Sequence, residues 1–297
     1  MCKFLSIWIA LSLLYGCTTT HVSPVQTITA QNILSDVQWL ASDELQGRYF
    51  RSQEARNAAT YIATKWKHAG LVPLAGKTSM FLPTDDLRDA PNVAAMLQGT
   101  GKSYVLLIAH YDHLKPRTTG EDRIYNGADD NASGTAALIA IAEALGHVET
   151  PPIASIVVVA FTGEEAGFVG SRHFTKSEPI QLQNIQAVIN LDMISRGDSN
   201  TIFLEGASDA PRISQAISKA NKTVGLTIIR DKHPDWLRRS DQWPFLQQGV
   251  PAVFLSVEDH EDYHRVTDHA DKILPDLAAK TTRLAFLAAL DLARHVP

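Results

Sequence analysis

The chain has 297 residues, 45% of them apolar and 20% charged, with a formal net charge of -5. Those values place it among soluble globular proteins large enough for one sizeable core. The mild acidic excess, without basic clustering, internal repeats or low-complexity segments, gives no support for a nucleic-acid partner.

The amino terminus stands apart. Lys3 precedes an apolar run, Phe4 to Leu14, too short to span a bilayer comfortably. This is the layout of a secretory signal peptide. The run ends Leu13-Leu14-Tyr15-Gly16-Cys17, which resembles the bacterial lipobox, although Tyr15 is bulkier than that motif usually carries. An ordinary signal peptide cut nearby is the alternative. The expectation is a signal peptide over 1–16, an acylated Cys17 with a polar tether over 17–30, and a single folded domain over 31–297. The protein is thus expected to be exported and anchored to a lipid bilayer. The outer membrane is favoured, because Thr18 replaces the Asp associated with inner-membrane retention. Cys2 and Cys17 are the only cysteines, so the mature domain would hold no free thiol and no disulfide.

Within the domain, Gln31–Gln46 reads as a helix with Ile33, Val37 and Leu40 on one side, broken by Gly47-Arg48. Ser52–Ala69 is a second helix, with a stripe of Ala55, Ala58, Ala59, Ile62 and Trp66 and Gly70 at its C-cap position. Pro83 and Pro91 punctuate a mixed stretch before a strand over Asn92–Leu97. Four apolar runs then have the character of buried strands. Tyr104–Ala109 ends in His110, Ile153–Phe161 in Thr162-Gly163-Glu164-Glu165, Ile185–Leu191 in Asp192, and Pro251–Val257 in a loop holding His260, Tyr263 and His264. Helices over Ala132–Leu145, Ala210–Thr223 and Ala278–Arg294 lie between and after them. Alternating strands and helices predict an α/β fold: a three-layer α/β/α sandwich around a mixed, mostly parallel sheet. In such sheets ligands bind beyond the carboxyl ends of the strands. Every one of these ends carries a carboxylate or an imidazole.

The candidate groups are His110, Asp129, Glu164, Glu165, Asp192 and His264. Imidazole nitrogen and carboxylate oxygen suit zinc. Two zinc ions about 3.5–4 Å apart need a shared carboxylate. Two His and three carboxylates supply one His and one terminal carboxylate per ion plus the bridge. Glu164 is then left over as a general base. Asp112, two residues after His110 and on the same side of an extended chain, is placed to fix that imidazole's tautomer. Trp236, Trp243 and Phe245 could line a pocket, but aromatics at that spacing are more often core.

At this point the chain resembles the co-catalytic di-zinc aminopeptidases, whose wider family includes glutamate carboxypeptidase-like enzymes, the transferrin receptor and glutaminyl cyclases. The carrying motifs are Ala109-His110-Tyr111-Asp112-His113, Gly127-Ala128-Asp129-Asp130-Asn131-Ala132-Ser133-Gly134, Thr162-Gly163-Glu164-Glu165, Asn190-Leu191-Asp192-Met193 and Tyr263-His264-Arg265-Val266-Thr267-Asp268. Leu40 to Arg48 also looks like the start of bacterial members. The resemblance implies that His110 and Asp192 hold one zinc, Glu165 and His264 the other, and Asp129 bridges them. It further implies Glu164 as base, Asp112 orienting His110, Tyr263 donating to an oxyanion, and a cis peptide at Asp129–Asp130. His260 and His269 compete with His264, whose Tyr-His context favours it. His113, Asp130 and Asp268 are expected in supporting or structural positions. The implied substrates are peptides with a free amino terminus, and the implied state is a monomer. A glutaminyl cyclase-like acyltransferase, a carboxypeptidase or deacylase, and a non-catalytic binding module are the alternatives. Two departures stand out: Gln242 follows Ser240-Asp241 where many members have His, and the short Phe81–Pro91 segment leaves no room for an inserted protease-associated domain.

Overall fold

A computed structural model describes residues 23–296. The expected signal peptide and Cys17 lie outside the described residues. The packed region begins before the expected boundary at 31. Ile28 is fully buried, its carbonyl accepts from the Arg283 guanidinium, and the Thr29 hydroxyl caps the first helix by accepting from the Asn32 N–H.

The helices α1 (Ala30–Leu40) and α2 (Gln53–His68) appear in sequence where their apolar stripes place them. α1 is shorter than expected: Ala41 caps it, and Asp43–Arg48 forms a separate 3-10 turn in which Gln46 and Gly47 are left-handed. β1 (Phe81–Leu82) and β2 (Asn92–Leu97) are followed by β3 (Tyr104–His110), α3 (Gly134–Gly146) and β4 (Ser155–Phe161). Next come α4 (Val169–Ser177), β5 (Ile185–Leu191), β6 (Thr201–Glu205), α5 (Pro211–Val224) and β7 (Thr227–Arg230). α6 (Gln242–Gln247), β8 (Ala252–Ser256) and α7 (Pro275–Arg294) complete the order.

The eight strands form one mixed sheet in the order β1-β2-β4-β3-β5-β8-β6-β7. Its centre, β4-β3-β5-β8, is parallel, while β2 and β6 run antiparallel to their inner neighbours. The central strands are buried on both faces, and their side chains divide by parity. Val105, Leu107 and Ala109 of β3 join the larger core under α1, α2, α3 and α7, whereas Leu106 and Ile108 join the smaller one. There Phe161, Phe174 of α4 and Phe245 of α6 meet at ring separations of 5.6–6.1 Å. Phe245 is therefore core. Trp236 is buried against Phe203 and Phe254 in a third small cluster, and Trp243 is half-buried under the Arg238 guanidinium. The three-layer sandwich follows from this: a sheet with two apolar faces needs helices on both. Among the central strands, β3 and β5 adjoin although they are not successive, so their carboxyl ends flank a switch point where a crevice opens.

Candidate metal centre

His110 is the last residue of β3 and is buried. Its Nδ1 lies 3.1 Å from the Asp112 carbonyl oxygen. An Nδ1–H donated there leaves the Nε2 lone pair facing inward, 3.3 Å from Asp192 Oδ1 and 3.4 Å from Asp130 Oδ1. Asp112 thus sets the imidazole through its main chain. Its carboxylate sits 3.8 Å from the ring and accepts instead from the Glu164 N–H at 3.2 Å. The expected orienting role for the Asp112 side chain is corrected accordingly: the carbonyl reaches the ring first, and the side chain anchors the Glu164 loop. Asp192 follows β5, and its other oxygen accepts from Ser240 Oγ at 2.7 Å.

The expected bridge, Asp129, does not face these groups; Asp130 does. The Asp268 carboxylate accepts the N–H groups of both Asp129 and Asp130 at 3.0–3.2 Å, which pins the loop between them. Successive side chains on non-helical backbone diverge. Asp129 turns to the Ser195 N–H and hydroxyl, at 2.8 and 2.6 Å, with His260 Nε2 3.2 Å away. Asp130 turns inward. Its Oδ1 faces His110 and its Oδ2 lies 3.2 Å from His264 Nε2. The cis peptide correspondingly follows Asp130, joining it to Asn131, and not Asp129. The rest of the motif stitches this turn to the exit of β5. Asn131 donates to the Leu191 carbonyl and accepts from the Gly134 and Met193 N–H groups, while Ser133 Oγ accepts from the Ile194 N–H.

On the far side of Asp130, Glu165 Oε2 lies 3.3 Å from His264 Nε2. Glu165 Oε1 lies 2.7 Å from Nδ1 of a third imidazole, His113. Among the described residues, two groups of ligand-type atoms therefore gather around Asp130. One is His110 with Asp192; the other holds His113 and Glu165, with His264 beside it. His260 and His269 go elsewhere, to Asp129 and Asp122.

These groups carry strong mutual fields. Burial alone would drive the His110 imidazole down, but Asp192, Glu164 and Asp130 hold it well above its ordinary value. His264 is likewise raised to about 10 against its own burial, by Asp130 and Glu165. Burial would raise Asp130, yet His113, His110 and His264 hold its carboxyl well below the usual range. The cluster thus draws positive charge to itself, the behaviour of an anionic cage built for a cation. Glu164 behaves oppositely. Burial pushes its carboxyl well above the ordinary range, with Glu165, Asp192 and Asp241 adding to the effect and His110 opposing it.

Behind Asp192 lies the Ser240-Asp241-Gln242 turn. Gln242 Oε1 accepts from Asn190 Nδ2, which also donates to Ser240 Oγ, and Gln242 Nε2 donates to the Trp236 carbonyl. The glutamine that replaces the expected His is therefore a fully paired link behind a candidate ligand. Asp241 is buried beside it, accepts from Ser171 Oγ, and is pushed up to about 7 by burial. In the unfolded chain it would titrate near 3.8. Between those values the unfolded state holds fewer protons, so this group lowers stability as pH rises through that window. Asp241→Asn retains the acceptor for Ser171. In metal-free protein it should raise stability by about 1–3 kcal/mol near pH ~8 and by little near pH ~4. Melting curves at the two pH values test this; a gain of equal size at both would exclude an acid titrating in the window.

Arg48 received no role from sequence beyond ending a helix. The structure buries it completely, and its guanidinium donates to the carbonyls of Leu40, Tyr111, Asn126 and Gly127. Burial lowers its pKa to about 10, opposed by Asp112, Asp130, Asp268 and Glu165, so it remains charged at neutral pH. It ties the loop after β3 to the loop before Asp130 and balances their carboxylates. Arg48→Met removes a donor from four carbonyls, of which Gly127 keeps the Ala132 N–H, and is expected to cost about 3 kcal/mol or more in unfolding by denaturant. A cost under about 1 kcal/mol would remove it from the loop framework.

Tyr263 stacks on His264 with ring centroids 4.0 Å apart. Burial raises its phenol, which stays protonated as a donor. It borders a cleft walled by Asp192, Met193, Trp236, Arg239, Phe254 and Val257. The lining is mixed: Met193, Trp236, Phe254 and Val257 stand beside the candidate ligand Asp192 and the Arg239–Asp259 ion pair.

Residues 92–289 match the model of Peptidase family M28. A probable zinc metalloprotease of Leptosphaeria maculans is 23% identical over 268 residues, 79% of this chain and 59% of that protein. The chain spans roughly half the length of the curated relatives it matches. Solved structures that share the fold include two of different activity. The LapA aminopeptidase of Legionella pneumophila aligns with a TM-score of 0.78 at 19% identity, over 99% of this chain and 81% of that one. The glutaminyl cyclase of Bacteroides thetaiotaomicron aligns with a TM-score of 0.70 at 18% identity, over 89% and 98%.

Proposed function

Because the chain belongs to peptidase family M28, we propose that it is a metallo-aminopeptidase that removes the first residue of peptides with two co-catalytic zinc ions. The carrying observation is a set of distances. Donors at about 2.0–2.1 Å from a tetrahedral zinc stand about 3.3–3.4 Å from one another. The edges His110–Asp192, His110–Asp130, His264–Asp130 and His264–Glu165 measure 3.3, 3.4, 3.2 and 3.3 Å. The donor set is imidazole and carboxylate, so it fits zinc chemically as well. In this reading His110 and Asp192 would hold one ion and His264 and Glu165 the other, with Asp130 facing both groups.

Bound zinc supplies Lewis acidity toward a scissile carbonyl and makes water a better nucleophile at neutral pH. The chain's own residues do the rest. Glu164 is absent from both ligand groups yet adjoins them in sequence, and it takes the proton of the attacking water and returns it to the leaving amine. Tyr263 donates a hydrogen bond to the developing oxyanion. The cleft beside Met193 and Phe254 receives the first side chain of the substrate, and carboxylates of the site hold its free amine. Export, acylation at Cys17 and a bilayer anchor complete the reading, supported by the lipobox-like Leu13 to Cys17; the enzyme acts as a monomer.

The test is a panel of aminoacyl and peptidyl chromogenic substrates, with zinc analysis and reversal of chelator inhibition. Substrates with a free amino terminus should be cleaved; cleavage of blocked ones alone would sink the assignment. The shared fold of the glutaminyl cyclase keeps one rival reading, which predicts cyclisation of glutaminyl peptides.

A further inference from the structure

The site contains one imidazole more than the two-ion reading requires. His113 is fully buried, three residues beyond the end of β3. Its Nδ1 stands 2.7 Å from Glu165 Oε1 and 3.7 Å from Asp130 Oδ2. The first distance is a hydrogen bond and is too short for an edge between two ligands of one zinc, about 3.3–3.4 Å. The second is longer than such an edge. A carboxylate only accepts, so Nδ1 carries the proton. The seat of the ring is specific. Gly127 is left-handed at φ +57°, and a Cβ there would lie 2.6–2.7 Å from the His113 ring and 2.2 Å from the Asp130 carbonyl oxygen. Arg48 holds the Gly127 carbonyl in place. On the other side the ring meets His264 edge-on at 5.8 Å.

We propose that His113 is a positioning residue: it donates to Glu165 Oε1, leaves only Glu165 Oε2 for metal, and thereby sets the affinity of the His264 side of the centre without binding metal itself. This rests on the two-ion reading. The Glu165 carboxylate is consequently split, with one oxygen for the imidazole and one for the ion. Without the donor it would be free to rotate or to chelate with both oxygens. His113 donates to no ligand of the His110 side: Asp192 and the His110 ring take their support from Ser240 and the Asp112 carbonyl, and the shared Asp130 stands 3.7 Å from the His113 ring, beyond hydrogen-bond range. The effect should therefore fall on one ion and spare the other.

The experiment titrates metal-free protein with zinc against a competing chelator and follows melting of the metal-free form. Wild type should bind two ions; if it binds fewer, the two-ion reading fails and not this inference alone. With two bound, His113→Ala and His113→Leu should weaken the second ion by about 10–100-fold, the usual cost of losing an outer-shell donor, and leave the first unchanged. The leucine variant fills the ring's space and keeps the test valid should the alanine variant fail to fold. His113→Asn places an amide N–H near the position of Nδ1 and should restore the second affinity to within about threefold of wild type, well inside that outer-shell cost. Equal affinities in wild type and the leucine variant, or equal weakening of both ions, would overturn the proposal. So would an asparagine variant as weak as leucine with unchanged melting, because His113 would then be a ligand.

Discussion

Glu164→Gln is expected to lower turnover by about 10²–10⁴-fold while both ions remain bound and KM changes little. The carboxylate lies outside both ligand groups, so replacing it with an amide removes a proton acceptor and no metal donor. The amide cannot accept the proton that the attacking water must lose. Its placement is secured by neighbours that the substitution leaves intact: the Glu164 N–H still donates to Asp112, and Gly167 and Phe168 still close the turn on the Glu164 carbonyl. Steady-state kinetics with zinc analysis on the same sample measure both halves. Near-normal turnover would remove Glu164 from the chemistry, whereas lost zinc would make it a ligand.

The second large effect separates two neighbouring aspartates. Asp130→Asn removes the carboxylate that, among the described residues, faces both His110 and His264. It should weaken zinc binding by more than the ~10–100-fold typical of an outer-shell change, and activity should fall with it. Asp129→Asn keeps an acceptor for the Ser195 N–H and hydroxyl and touches neither imidazole of the centre. Its effect should stay within that outer-shell range. Zinc competition assays on the pair decide the matter. Metal retained by the Asp130 variant and lost by the Asp129 variant would return the bridge to the position expected from sequence.

The reason for that one-residue difference is instructive. Two adjacent aspartates are chemically equivalent on paper. What distinguishes them is which way each points, and that is decided by Asp268, which comes from a distant loop and holds both their N–H groups. Asp112 is decided in the same way. The spacing puts Asp112 on the same side of the chain as His110, but the carbonyl is nearer to the ring than the carboxylate. His113 and Arg48 had weaker signals still. A histidine following an Asp and an arginine following a Gly are common, and their importance lies in burial that no local pattern states. A clue existed in Gly127, whose lack of a side chain leaves space for the His113 ring.

The sequence by itself determined the architecture of the centre's surroundings. Apolar runs that end in His110, Glu164, Asp192 and the His264 loop read as buried strands of an α/β sheet with these groups beyond their carboxyl ends; their adjacency as β4-β3-β5-β8 is seen only in the structure. The sequence also determined the chemical class of the donors, because imidazole and carboxylate at four such ends are costly to bury without a cation. The tertiary structure decided which of two adjacent carboxylates turns inward and that a third imidazole stands behind Glu165. Those choices depend on hydrogen bonds between segments far apart in the chain, such as Asp268 to Asp130 and Asp112 to Glu164. A sequence pattern records the local chain, whereas the direction of a side chain in a loop is set by whatever packs against it.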